Sequence, residues 1–188
     1  ERLEKAGGIT EAAITVAVLL AGEGLGEREM ALAFEVGQLK RGGRPNMAHV
    51  GFGRSGALGM YNFPEDKLAK GDLIRFDVGC VYRGYLSDTA RTFSWGKPAD
   101  KAAAYYDALL AGQDRALGMV GPGATGDEIF NATVQEVRRR GIPHYNRQHV
   151  GHGMGLALGG YDGPRLAPGD RTPLEPGIVL AVEAQHLL

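Results

Sequence analysis

Apolar positions along the first forty residues recur at helical spacing. Thr10 to Leu20 reads as a helix, and a Gly-rich turn follows from Ala21 to Gly26. A second amphipathic helix then runs to the basic cluster and glycine Lys40-Arg41-Gly42, the residue types that favour a helix C-terminus. Short segments rich in Gly, Val and Leu come next and read as strands. The same order returns later in the chain. A helix over Ala102 to Leu117 precedes a turn over Gly121 to Gly126, and a second helix ends at Arg139-Arg140-Gly141. The longest apolar run, Ala12 to Ala21, is broken by Thr15 and is too short to span a membrane. The opening Glu1-Arg2-Leu3-Glu4-Lys5 has no signal-peptide character and reads as a helix entered mid-stream, so residue 1 is not expected to be the native start.

The recurrence extends to particular residues. His49-Val50-Gly51-Phe52-Gly53 returns as His149-Val150-Gly151-His152-Gly153, an offset of 100 residues. Gly71 to Asp77 matches Gly177 to Glu183, each with an acidic residue six positions after its glycine. Such matches in the same order predict two homologous halves, 1–98 and 99–188. Helices before strands, twice over, predict an α+β fold with a largely antiparallel sheet covered by helices on one face, and a pseudo-twofold cleft where the halves meet.

Composition narrows the function. With 21 basic and 22 acidic residues the formal charge is −1, which argues against nucleic-acid binding. A single cysteine cannot form an internal disulfide, so a cytoplasmic location is expected. That cysteine, Cys80, sits in an apolar strand and reads as a packed core thiol. Arg138-Arg139-Arg140 closes a helix and reads as a solvated end. Tyr105-Tyr106 and Leu109-Leu110 have helical spacing and suit a core or an interface.

The densest chemistry lies between Gly71 and Phe93. Leu73 to Val78 and Ser87 to Phe93 read as the two arms of a hairpin turning at Tyr82-Arg83-Gly84. A turn tip at Tyr82 and Arg83 would set Asp77 directly opposite Asp88, with Cβ atoms about 5 Å apart. Two carboxylates at that distance repel by about 3 kcal/mol at an effective dielectric of 20, which a shared proton or a bridging metal relieves. Apolar neighbours favour the metal. The plainer alternatives are an ion pair of Asp88 with Arg91, and turn hydrogen bonds for Asp77. The repeat adds Glu183, the counterpart of Asp77, and His152, which stands where the first copy has Phe52. His152 lies between glycines, where backbone can approach an ion. Carboxylates with one imidazole suit Mn²⁺, Co²⁺, Fe²⁺ or Zn²⁺.

The segments GDLIRFDVGCVYRGYLSDTARTF, HVGHGMGL and EPGIVLAVEA resemble, in order and spacing, those of the pita-bread metallopeptidases: methionine aminopeptidase, Xaa-Pro aminopeptidase, prolidase and creatinase. The likeness is nearest to the Xaa-Pro branch. It implies two divalent ions, with Asp77 on one, Asp88 bridging, and His152 and Glu183 on the other. It also implies a bridging glutamate after Glu183, and the Gly71-to-Asp88 interval carried to the second copy points to position 194, past Leu188. Either a C-terminal strand is missing from this sequence, or the two-metal site is incomplete; the family's N-terminal domain is likewise expected to be missing here. Family members are often homodimers, so a homodimer acting on a peptide or small amide is expected.

Two family histidines that steady the substrate carbonyl and the tetrahedral intermediate are replaced, by Met60 and by Gly159. Met60, Tyr61 and Gly159 are expected to border the substrate, and His149 and Tyr161 are candidate substitutes in catalysis. The resemblance thus implies a metal-dependent hydrolase of a C–N bond, an Xaa-Pro aminopeptidase or dipeptidase. The alternatives are a creatinase-like or cyclic-amidine hydrolase, favoured by Met60 and Gly159, and an inactive binding module.

Overall fold

A computed structural model describes residues 1–58, 66–156 and 163–186. The chain divides into two compact units, Glu1–Pro98 and Ala99–His186. In the first, α1 (Arg2–Val18) begins eight residues before the helix read from the sequence. Ala6 and Ile9 extend the buried stripe of Ala13, Ile14 and Ala17 at helical spacing. Gly7 and Gly8, which blur that stripe, face open space. The next helix, α2 (Glu27–Leu39), starts at Gly26, whose N–H donates to the Glu29 carboxylate at 2.7 Å. Gly37 lets α2 approach α1 closely, since a Cβ there would sit 3.2 Å from that of Ala13.

These helices cover one face of a four-stranded antiparallel sheet. Strand β1 (Arg44–Phe52), followed by the single turn α3 (Gly53–Gly56), pairs with β2 (Leu73–Tyr82). The other side of β2 pairs with β3 (Tyr85–Leu86) and β4 (Thr89–Ser94). Along β2 the side chains alternate: Ile74, Phe76 and Val78 enter the core with Phe34 and Phe52, while Arg75 and Asp77 take the other face. Phe76 meets Phe93 edge-on with ring centroids 5.9 Å apart.

The hairpin corrects one sequence expectation. Its two-residue turn is Arg83-Gly84, flanked by the pair Tyr82 and Tyr85. Both turn residues have positive φ, 48° and 85°, as this turn type demands, and a tip at Tyr82 would force an aromatic residue into that conformation. Moving the tip moves the register, so Asp77 faces Ala90 rather than Asp88. The return strand starts at Thr89, after a corner at Ser87-Asp88. There the Ser87 carbonyl oxygen comes within 2.2 Å of where a Cβ of Gly79 would lie, and the Asp88 Cα within 3.9 Å. Asp88 thus sits at the corner beside Gly79, two residues before the Ala90 that faces Asp77.

The second unit has the same element order. α4 (Asp100–Leu117) precedes α5 (Gly126–Arg139), and β5 (Gly151–Gly153) pairs antiparallel with β6 (Leu180–Val182). Thr125 caps α5 in a reciprocal box with Glu128. Its core gathers Ile129, Val137, Ile142, Tyr145, Val150 and Leu166. Tyr105 and Leu109 pack on this core, whereas their neighbours Tyr106 and Leu110 are exposed, as one helical face requires. Arg139 and Arg140 both grip Glu136, whose carboxyl falls to about 2 through their hydrogen bonds. Cys80 is fully buried, as a core thiol should be.

The duplication is visible in the hydrogen bonds. Gly24 N–H donates to Leu68 C=O and Leu68 N–H to Leu25 C=O; in the second unit Gly123 N–H donates to Leu174 C=O and Leu174 N–H to Ala124 C=O. Both α2 and α5 also receive a return segment on an acidic residue: Glu27 accepts the Asp66 N–H, and Asp127 accepts the Gly169 N–H. Glu27, fully buried, further accepts from Phe52 N–H and from the Ser55 hydroxyl, fastening β1 and α3 to α2.

Candidate metal centre

In the first unit the site residues lie on the face of β2 turned away from the helices. Asp77 has His49 of β1 on one side and Ala90 of β4 on the other. Its Oδ2 is 2.5 Å from Nη2 of Arg75, two residues earlier on the same face. Asp88 stands at the adjacent corner, half-buried. The Arg91 guanidinium pairs with Glu11 of α1.

In the second unit His152 occupies the middle of β5 and is only 4% exposed. Its Nδ1 lies 3.1 Å from the Gly153 carbonyl. With Nδ1 as the donor to that oxygen, Nε2 is the nitrogen that would serve as a metal ligand. Gly151 must be glycine, because a Cβ there would meet the Ala181 carbonyl oxygen at 2.4 Å. Glu183, just past β6, donates its N–H to Val150 C=O. Its Oε1 lies 3.5 Å from His149 Nδ1 and 3.6 Å from Arg147 Nη2. The His149 and His152 rings are 5.8 Å apart and nearly perpendicular. The second unit therefore draws His149, His152 and Glu183 into one neighbourhood. Met60, Tyr61, Gly159 and Tyr161 lie outside the described residues.

Among the described residues, no group of three or more His, Cys, Asp or Glu side chains is placed to hold a metal ion. The donor types nevertheless suit a divalent ion: carboxylates on both units and a buried imidazole with one nitrogen set beside a backbone carbonyl. The sequence reading missed the arginines on Asp77 and Glu183. Arg75 was legible, since residues two apart on a strand share a face. Arg147 was not, because its partner is distant in sequence.

Next to this group, the Tyr145 hydroxyl is buried and has no hydrogen-bond partner among the described residues. Burial first, and then the Glu183 charge, push its pKa up to about 12 against the opposing pull of Arg147. The imidazole of His186 is held below its ordinary pKa by burial, with His144 and Arg147 adding to the effect.

Duplicated helix-helix-strand units with carboxylates and a histidine on their strands are the architecture of the pita-bread metallopeptidases. The match to solved structures bears this out: the chain superposes on the prolidase from Pyrococcus furiosus with a TM-score of 0.89 at 30% identity, over 96% of this chain and 54% of that one. For the X-Pro aminopeptidase from Thermotoga maritima the TM-score is 0.90 at 27% identity, over 96% and 51%. The chain belongs to metallopeptidase family M24, whose model matches residues 1–187. It is 31% identical over 186 residues to the Xaa-Pro dipeptidase of Pyrococcus furiosus, covering 97% of this chain and 53% of that protein. The chain thus spans about half the length of the curated relatives it matches. No helix among the described residues is long and apolar enough to cross a membrane.

Proposed function

We propose that this chain carries the metal-dependent hydrolytic site of an Xaa-Pro dipeptidase or aminopeptidase, cleaving the C–N bond before a prolyl nitrogen. The observation that supports this best is the match to Xaa-Pro dipeptidases over nearly all of the chain. Asp77, Asp88, His152 and Glu183 are assigned as holding two divalent ions, with Mn²⁺ or Co²⁺ the first to try. When bound, such ions supply Lewis acidity, lowering the pKa of water toward neutrality and polarising a carbonyl. Asp77 and Glu183 would bring negative charge from opposite members of the repeat, and Asp88 would add a further carboxylate to the ligand set. The backbone carbonyl of Gly153 orients the His152 ring. His149, beside Glu183, is assigned to hydrogen-bond the developing oxyanion, with Tyr161 a second candidate for that role. Met60, Tyr61 and Gly159 are assigned to the substrate side, and the working unit is taken as a homodimer.

The test is hydrolysis of Xaa-Pro dipeptides by the full chain with added Mn²⁺ or Co²⁺, beside metal analysis. Asp88→Ala should abolish both metal uptake and turnover; full metal content and activity in that variant would refute the assignment. A second reading, hydrolysis of small cyclic amides or amidines, is favoured by Met60 and Gly159 replacing the two family histidines. Turnover of cyclic amides with none of Xaa-Pro dipeptides would establish it instead.

A further inference from the structure

Each unit sets an arginine on the carboxylate that the proposed site makes a ligand. In the first, Arg75 and Asp77 share the outer face of β2, with side chains 15% and 18% exposed. The residues flanking Arg75 across the sheet are Gly51 and Thr92. In the second, Arg147 reaches Glu183 from the segment before β5, with side chains 20% and 25% exposed. Its Nη1 donates to Gln185 Oε1 at 2.9 Å and its Nε to the His149 carbonyl at 3.5 Å, so the fork is held from both sides.

The two arginines are not copies of each other. By the repeat offsets Arg147 corresponds to Met47, and Arg75 to Ala181. What the two pairs have in common is chemical, a mostly buried carboxylate of the proposed ligand set beside a mostly buried guanidinium. A carboxylate removed from water needs a compensating charge whenever no metal supplies one. Arginine provides it at every accessible pH and is the more weakly hydrated of the basic side chains. A divalent ion on the same carboxylate is then repelled by the guanidinium beside it.

We propose that Arg75 and Arg147 are resident counter-ions of the metal-free ligand carboxylates, which stabilise the empty protein and set metal affinity by competing with the ion. The inference rests on the assignment of Asp77 and Glu183 as ligands. It predicts the opposite sign from a purely orienting role, in which losing either arginine would weaken metal binding.

The experiment is calorimetric titration of Mn²⁺ into the chelator-stripped full chain, with thermal melts of the empty and loaded forms. Arg75→Met and Arg147→Met should each bind Mn²⁺ about tenfold more tightly, the factor expected for a unit charge roughly 6 Å from a divalent ion in a water-like dielectric. Their empty forms should melt several degrees lower than the parent, and their loaded forms should not. Arg91→Met, which breaks the exposed pair with Glu11, should change neither quantity. Arg75→Gln and Arg147→Gln keep a hydrogen-bond donor but drop the charge, and should shift affinity in the same direction if the methionine variants fold poorly. Unchanged or weaker Mn²⁺ binding in the neutral variants, with a parent that binds, overturns the counter-ion role alone. A parent that takes up no Mn²⁺ overturns the ligand assignment and this inference with it.

Discussion

The two units use one plan for different ends, and a single residue of register separates them. In the first, Phe52 pairs with Ile74 and points into the core, while Asp77, three residues along, takes the other face. In the second, His152 pairs with Ala181, whereas the repeat would have paired it with Leu180. Glu183 lies two residues beyond Ala181, so alternation puts His152 and Glu183 on one face. At Gly151, within this register, the Ala181 carbonyl crowds any side chain. The same sequence position can therefore be a core phenylalanine in one copy and a candidate ligand in the other.

The sharpest way to break this comparison is to make the second copy resemble the first. His152→Phe should lower metal content and cut turnover by about a thousandfold under the proposed ligand set. A phenylalanine keeps the volume, so the melting temperature should stay within a few degrees. The reciprocal Phe52→His should gain no metal and should destabilise by about 3 kcal/mol, because Phe52 is 2% exposed among aromatic neighbours. Metal analysis and urea unfolding read both. A His152→Phe protein with full metal content would remove the register slip's functional meaning.

The helix starts offer a second, smaller contrast. A Cβ on Gly126 would lie 1.9 Å from the Arg165 backbone carbonyl, whereas one on Gly26 would meet the flexible ends of Glu29 and Lys67 at 2.9 and 3.0 Å. Gly126→Ala should therefore cost about 2–4 kcal/mol and Gly26→Ala within about 1 kcal/mol. The urea midpoints should separate accordingly at a constant slope. Equal costs would mean that the return segments yield alike in both copies.

Much of this was legible from local pattern. Helical stripes such as Ile129, Phe130, Thr133 and Val137 announce their own burial, and the spacing of GDLIRFDVG to SDTARTF places both aspartates near one hairpin. The motif-level resemblance pointed to the family that the comparison then established. Register was less legible. The turn tip depended on which residues accept positive φ, and Gly84 was the available signal at Arg83-Gly84. The corner that positions Asp88 depended on Gly79, a strand-interior glycine of the kind that marks close backbone approach. Partners distant in sequence, such as Arg147 with Glu183 or Glu27 with Ser55, left no periodic trace at all.

The cores differ too, and that difference yields the gentlest test. The first unit fills its centre with Phe34, Phe52 and Phe76, while the largest fully buried side chain of the second is Tyr145, whose hydroxyl has no hydrogen-bond partner among the described residues. Tyr145→Phe removes that polar atom and keeps the ring, so at neutral pH it should leave stability unchanged or raise it by about 1 kcal/mol. The pH dependence fixes the sign. Folding raises the Tyr145 pKa from 10.0 to about 12, so the folded protein holds that proton more tightly than the unfolded chain. Its contribution is fully present below pH 10 and is lost as pH rises toward 12. The parent should therefore lose stability across that alkaline window faster than the phenylalanine variant, and urea unfolding at pH 8 and at pH 11 would measure the gap. A gap that fails to widen would mean that the hydroxyl finds a partner or water in solution, and that the second core is as well satisfied as the first.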